Sequence, residues 1–312
     1  MIFRMSRILC IIDGMTDPQF DASVYPNLAS MRLSHYIDTT CGHDAESFGC
    51  ILRLLGVKDV PVHSRGYAEA LGADIPVGEN DLVLRGSWYG LDAEGRCTAP
   101  VHAPERIAGE CLYYSLGDYK SLIVFPGEAE SVHRIITYPP YDCLGKPAAQ
   151  LCPQGSEVIT EVFQSNLSKN HCLLLWGQSA PSSLAPLQMK AAVICHATVV
   201  KGIGHLLGMT VLDVEGATGD TDTDLTSKVR SALKAAEEFP FVLLHINGAD
   251  EASHRKNPSE KAAFLRKIDE LVLSELLQSE HEIVVVSDHG TDPLTGLHIA
   301  GDQPIFEKVV FN

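Results

Sequence analysis

Basic residues are in short supply in this 312-residue chain: 24 Lys and Arg stand against 40 Asp and Glu, a formal charge of −16. Affinity for a nucleic-acid backbone comes from clustered Lys and Arg, and no basic run offsets the deficit, so nucleic acid is excluded as a partner. A small anion neutralised by a metal remains compatible. Long apolar runs are also missing. No stretch approaches the ~20 residues needed to cross a bilayer, and the run at residues 8–12 is too short for a secretory core and ends in Asp13. The expectation is no membrane, no export and a cytoplasmic location. Nine cysteines occur without a C-x-x-C pair or a zinc-ribbon spacing, which reads as reduced core thiols. Repeats and low-complexity tracts are absent, and 45% hydrophobic against 21% charged residues excludes a disordered chain.

What is present is alternation. Short β-branched or Leu-rich runs at residues 8–12, 172–176, 191–195, 210–214, 241–246 and 282–287 interleave with segments of helical spacing at 47–55, 199–207, 225–239 and 260–277. In the last of these, Phe264, Leu265, Ile268, Leu271, Val272 and Leu276 fall on one broad face. Continuous apolar strands alternating with helices imply an α/β fold, a mostly parallel sheet sandwiched by helices. Residues 59–171 differ. Gly/Pro punctuation and the hairpin-like 82–89 followed by Asp92-Ala-Glu-Gly95 mark a smaller α+β domain inserted after the first βα unit. The expected domains are therefore a discontinuous core, 1–58 with 172–312, and an insert, 59–171.

Ligand sites of open parallel sheets lie beyond the carboxyl ends of the strands. There the sequence places Asp13 after the first run, Asp250 and His254 after the run at 241–246, Asp288 and His289 after the last run, and His298 on a later loop. Asp250 and His254 are spaced i, i+4, which puts both on one helix face where they share a cation. Adjacent Asp288 and His289 point apart and serve two neighbouring cations. One Asp after a strand is usually a helix cap, but metal-type residues at the same end of three strands point to a centre. Mixed carboxylates and imidazoles suit two divalent ions, Mn²⁺ or Zn²⁺ with Mg²⁺ as a further option. Such a pair cleaves phosphate esters with a nucleophile held beside it. Ser47, in Asp44-Ala-Glu-Ser-Phe48 at a predicted helix start, is the candidate, with free backbone N–H groups available to a phosphoryl group.

Two other patterns are set aside. Asp220-Thr-Asp-Thr-Asp224 lacks the glycine and glutamate of a calcium loop, and Gly202-Ile-Gly204 with Gly208 has the wrong spacing for a dinucleotide fingerprint. His245, inside an apolar run, reads as a core residue close to Asp250.

The chain resembles the cofactor-independent phosphoglycerate mutases of the archaeal type, in the alkaline phosphatase superfamily. The resemblance is nearly end to end. It rests on Ile11-Ile-Asp-Gly-Met15, Glu46-Ser47, Arg65-Gly66 with Glu69-Ala-Leu-Gly72, Pro139-Pro-Tyr-Asp142, Leu175-Trp-Gly-Gln178, Lys201-Gly-Ile-Gly204, Glu215-Gly-Ala-Thr-Gly219, residues 245–254 and Ser287-Asp-His289. It implies an alkaline-phosphatase-like sheet domain with two metals and an inserted domain that closes over the substrate. Asp13, Ser47, Asp288 and His289 would hold one metal, and Asp250, His254 and His298 the other. Lys201 would lie near the serine oxygen and the phosphoryl group, and Arg65 and Arg85 would grip the substrate's anionic groups. Ser47 would take the phosphoryl group of 3-phosphoglycerate and return it to the other hydroxyl of the retained glycerate.

The departures fall on the substrate side. The family's Arg-Cys-Asn reads Arg85-Gly86-Ser87, its Pro-Pro-His-Asp reads Pro139-Pro140-Tyr141-Asp142, and a tyrosine-arginine pair appears as Tyr119-Lys120. These leave three alternatives open: a phosphomonoester or phosphonate hydrolase, a phosphotransferase to another acceptor, and a non-catalytic protein that binds a phosphorylated ligand through its metals. In each case the partner is a small phosphorylated metabolite, and the oligomeric state is not indicated.

Overall fold

The computed structural model describes residues 5–140 and 143–309; Tyr141 and Asp142 of the Pro-Pro-Tyr-Asp motif lie outside them. The strands, in chain order, are β1 (Arg7–Ile12), β2 (Arg32–Asp38), β3 (Leu82–Leu91), β4 (Cys97–Pro100), β5 (Leu112–Ser115), β6 (Lys120–Phe125) and β7 (His171–Ser179). They continue with β8 (Ala191–Ile194), β9 (Thr210–Leu212), β10 (Phe241–Ile246), β11 (Glu282–Val286), β12 (Gly290–Thr291), β13 (His298–Ile299) and β14 (Asp302–Glu307). The chain divides into two compact units, Met1–Val60 with Ala185–Asn312, and Pro61–Leu184. No helix among the described residues is long and apolar enough to cross a membrane.

The first unit is built on a seven-stranded sheet ordered β2-β14-β11-β1-β10-β8-β9. Strands β11, β1, β10, β8 and β9 are parallel; β14 and β2 add an antiparallel edge. Residues on β1, β10 and β11 such as Ile8, Cys10, Val242, Leu244, Ile283 and Val285 are buried, and the helices Leu225–Ala236 and Pro258–Ile268 cover them with Val229, Ala232, Phe264, Leu265 and Ile268. Leu9, Ile11, Leu243 and Val286 point to the opposite face and are buried too, and burial on both faces is what the continuous apolar runs announce. The antiparallel edge carries no such run: β2 is exposed along nearly its whole length.

Helix Pro258–Ile268 departs from the expected single amphipathic face. A π-helical segment, Asp269–Leu273, separates it from helix Ser274–Gln278. The wider turn re-phases the helix, so Leu271 faces out at 43% exposure while Val272 and Leu276 are buried. It also brings the buried Asp269 carboxylate to the backbone N–H groups of Asn27 and Leu28, at 3.1 and 2.9 Å.

The second unit holds the antiparallel sheet β4-β3-β6-β5, with β7 paired to the other side of β3. Leu173, Leu174 and Leu175 of β7 pack with Leu84, Trp88, Ile123 and Phe163 in its core. The expected boundary at 171/172 is therefore corrected to 184/185: the apolar run 172–176 belongs to the insert's sheet and not to the central one. A strand buried on both faces has the same local pattern in either sheet, so the run alone did not distinguish them.

Candidate metal centre

Strands β11, β1 and β10 lie side by side, and their register sets Ile11 level with His245 and Val286. The segments leaving these strands therefore emerge at one level: Asp13 after β1, Ser287-Asp288-His289 after β11, and the helix Gly248–His254 after β10. The turn after β1 needs glycine. Gly14 has φ +64°, and a Cβ there would lie 2.9 Å from the Asp250 Cα and 2.8 Å from the Thr291 hydroxyl. That close approach packs the Asp13 turn onto the helix bearing Asp250.

Seven of the predicted side chains converge in this unit. The ligand atoms of Asp13, Asp288 and His289 lie within 4.8 Å of one another, as do those of Asp250, His289 and His298. His289 Nε2 is 3.7 Å from Asp13 Oδ1 and 3.5 Å from Asp288 Oδ2, and its ring stacks on His298 with centroids 4.0 Å apart. His254 Nε2 is 3.1 Å from Asp250 Oδ2 and 3.1 Å from His298 Nε2, which is itself 3.5 Å from Asp250 Oδ1. Ser47 begins the helix Ser47–Leu54, and its Oγ lies 3.2 Å from His289 Nε2.

The outer two imidazoles are each aimed by the other nitrogen. His254 Nδ1 is 2.9 Å from the Gly296 carbonyl and His298 Nδ1 is 2.6 Å from that of Ala45. Carbonyls only accept, so these Nδ1 atoms carry protons and the Nε2 atoms face inward. Thr291 contributes a further constraint, donating to Asp250 Oδ1 at 2.6 Å. Sequence reading missed Thr291, the Ala45 and Gly296 carbonyls and Gly14, because nothing in their types marks a support for a ligand. Ser287-Asp288 was the available signal: Ser287 Oγ accepts from the Met15 N–H at 3.0 Å and ties the two strand ends together.

The donor set fits divalent cations. Asp13 Oδ1 and Asp288 Oδ2 are buried and have no hydrogen-bond partner, which is costly for a carboxylate unless a cation takes that place. Burial, followed by the charges of Asp288 and Asp250, raises Asp13 well above the usual carboxylate range. Burial, followed by the Asp250 charge, raises Asp288 to about 6. Asp250 is the exception: burial opposes its ionisation, but His254 and His298 outweigh that and hold it well below the usual range. In return the Asp250 charge lifts His254 to about 9, while burial holds His298 near 4. His245 is fully buried 3.4 Å from Asp13, and burial with the nearby Lys228 charge takes it down to about 3. It therefore backs Asp13 as a neutral ring.

The other predicted residues make the following contacts. Lys201, on the helix Thr198–Leu206 of the same unit, pairs with Asp213 at 2.5 Å. Arg65 and Arg85 belong to the second unit. Arg65 Nε donates to Glu69 Oε1 at 3.0 Å, and Arg85 pairs with the other oxygen of the same carboxylate.

The metalloenzyme superfamily matches residues 9–305 of the chain. A 2,3-bisphosphoglycerate-independent phosphoglycerate mutase of Methanothermobacter thermautotrophicus is 40% identical over 359 aligned residues, covering 96% of this chain and 87% of the relative. One from Archaeoglobus fulgidus is 27% identical over 96% of this chain and 88% of its own length. Among solved structures, the PH0037 protein of Pyrococcus horikoshii superposes with a TM-score of 0.71 at 21% identity, covering 98% of this chain and 88% of that one. A cofactor-independent phosphoglycerate mutase of Thermoplasma acidophilum superposes at 0.54 with 18% identity, covering 97% and 89%. Both share the fold.

Proposed function

We propose, for a chain that belongs to the metalloenzyme superfamily, that it interconverts 3- and 2-phosphoglycerate by phosphoryl transfer through Ser47, without 2,3-bisphosphoglycerate. The observation that carries this reading is the placement of the Ser47 hydroxyl 3.2 Å from His289 Nε2, on the histidine common to both ligand triads. The mutases of M. thermautotrophicus and A. fulgidus support the choice of phosphoglycerate as substrate.

The superfamily implies divalent metal ions. In our reading there are two: Asp13, Ser47, Asp288 and His289 hold one, and Asp250, His254 and His298 hold the other. When bound, such ions would ease deprotonation of the Ser47 hydroxyl and offset the charge on the transferring phosphoryl group. Mixed nitrogen and oxygen donors favour Mn²⁺ or Zn²⁺, with Mg²⁺ less well served.

The chain's own residues supply the rest. Ser47 Oγ forms the new bond to phosphorus as the ester P–O bond breaks, with the hydroxyl proton passing to the departing glycerate oxygen. The phosphoryl group then returns to the neighbouring hydroxyl of the same glycerate, whose proton goes back to Ser47 Oγ. The backbone N–H groups at the start of Ser47–Leu54 face the phosphoryl oxygens. Lys201 exchanges Asp213 for the phosphoryl group when substrate arrives, and Arg65 and Arg85 bind the substrate's anionic groups. The substrate is a small metabolite and the reaction is cytoplasmic.

The test is direct: purified protein with Mn²⁺ should isomerise 3-phosphoglycerate with no bisphosphate added, and Ser47→Ala should abolish the activity. Release of inorganic phosphate without isomerisation would replace the mutase by a phosphomonoester hydrolase. One observation favours that second reading. Where the resemblance would place Cys after the arginine, a Cβ on Gly86 would lie 2.3 Å from the Ser121 hydroxyl and 2.5 Å from Ile123, so this sheet has no room for that side chain.

A further inference from the structure

We propose that Glu69 is a positioning residue that sets Arg65 and Arg85 as one preformed clamp for a singly charged group of the substrate, an inference that rests on reading those arginines as substrate-binding. Glu69, on the helix Arg65–Gly72, is 1% exposed, and Arg85, on β3, is 6% exposed. One carboxylate oxygen receives Arg65 Nε at 3.0 Å and the other pairs with an Arg85 Nη. Two guanidiniums from different elements are thereby fixed at a spacing set by a single carboxylate.

A second contact closes the arrangement. The Arg65 guanidinium lies over the Trp176 ring, 4.8 Å from its centroid, and Trp176 Nε1 donates to Ser87 Oγ at 3.1 Å. Trp176 is also the register partner of Arg85 across β3 and β7. The clamp is therefore held on two sides, by a carboxylate and by an indole that β3 orients.

Stability alone does not account for this. One arginine would neutralise Glu69, and apolar residues of similar volume would serve a core at least as well. Two cations on one buried anion leave a single positive charge, which matches a carboxylate more closely than a phosphate dianion. Arg is the residue whose planar fork benefits from being held in advance, because less freedom is lost when the ligand binds.

The experiment compares wild type, Glu69→Gln and Glu69→Asp, each loaded with Mn²⁺. It measures steady-state isomerisation and calorimetric binding of 3-phosphoglycerate. Glu69→Gln should raise KM and Kd about 10-fold or more while kcat stays within about 2-fold, since misplaced binding groups are the loss. Glu69→Asp keeps the charge, so it folds even if the amide variant does not, and its shorter stem reaches only one arginine. It should raise KM several-fold with kcat held. A kcat loss without a KM change, or unchanged KM in Glu69→Asp and in folded Glu69→Gln, overturns the proposal. A wild type that neither turns over nor binds 3-phosphoglycerate overturns the functional reading, and the substrate role of the clamp with it.

Discussion

His298 Nδ1 lies 2.6 Å from the Ala45 carbonyl oxygen, two residues before Ser47. One hydrogen bond therefore turns the His298 Nε2 towards Asp250 and restrains the segment that delivers the nucleophile. His298→Ala should cost metal affinity by about 100-fold or more and should slow turnover further than metal loss alone explains. Supplying saturating Mn²⁺ separates the two effects. Full recovery of kcat at high Mn²⁺ would show that the tether to Ala45 does not position Ser47.

Asp288 carries the clearest opposition between stability and function. Its carboxyl is raised to about 6 by burial and by the Asp250 charge, against an ordinary 3.8. The folded state thus holds this proton more tightly than the unfolded one. The metal-free fold bears the full cost above about pH 6, and the cost fades as pH falls from 6 towards 3.8. Asp288→Asn should stabilise the metal-free protein at pH 7.5 by roughly 2–3 kcal/mol and destabilise it relative to wild type once Mn²⁺ is added. Urea unfolding in chelator and in excess Mn²⁺ reads both signs. A variant less stable in both conditions refutes the argument.

Most of this centre was legible because its residues come directly after apolar runs that announce themselves as parallel strands. Asp13, Asp250, Asp288 and His289 needed only the rule that ligands lie beyond the carboxyl ends. Three features were not legible. The 172–176 run reads the same in either sheet, and only its pairing with residues 85–89 settles which one holds it. The antiparallel edge strand β2 lacks the apolar alternation that reveals a strand. The π segment at Asp269–Leu273 leaves no local signature, since the extra residue is stabilised by Asn27 and Leu28, more than 240 positions away in sequence.

Gly14 is a place where one methyl group should matter. At φ +64°, with the Asp250 Cα 2.9 Å from where a Cβ would be, an alanine is strained and also displaces backbone. Gly14→Ala should cost about 1–3 kcal/mol in stability and weaken Mn²⁺ binding, because Asp13 and Asp250 are pushed apart together. Calorimetric titration with Mn²⁺ checks the second effect. Unchanged metal affinity would mean that the turn relaxes away from Asp250.

Lys228 offers a test remote from the ligands. It sits on the helix Leu225–Ala236, 1% exposed, near Cys10 and Cys195, and burial lowers its ammonium from 10.5 to about 8. Below pH 8 the group is charged in both the folded and the unfolded chain, and the fold bears the whole cost of burying that charge. Between pH 8 and 10.5 the folded chain sheds the proton first, so the penalty shrinks as pH rises. Lys228→Met keeps the length of the stem and removes the charge. It should stabilise the protein at pH 7 by about 2–3 kcal/mol, with the gap to wild type closing as pH approaches 10.5. Urea denaturation of both proteins at pH 7 and pH 10 measures the difference. A constant gap at the two pH values would mean that the Lys228 ammonium reaches solvent in the folded state.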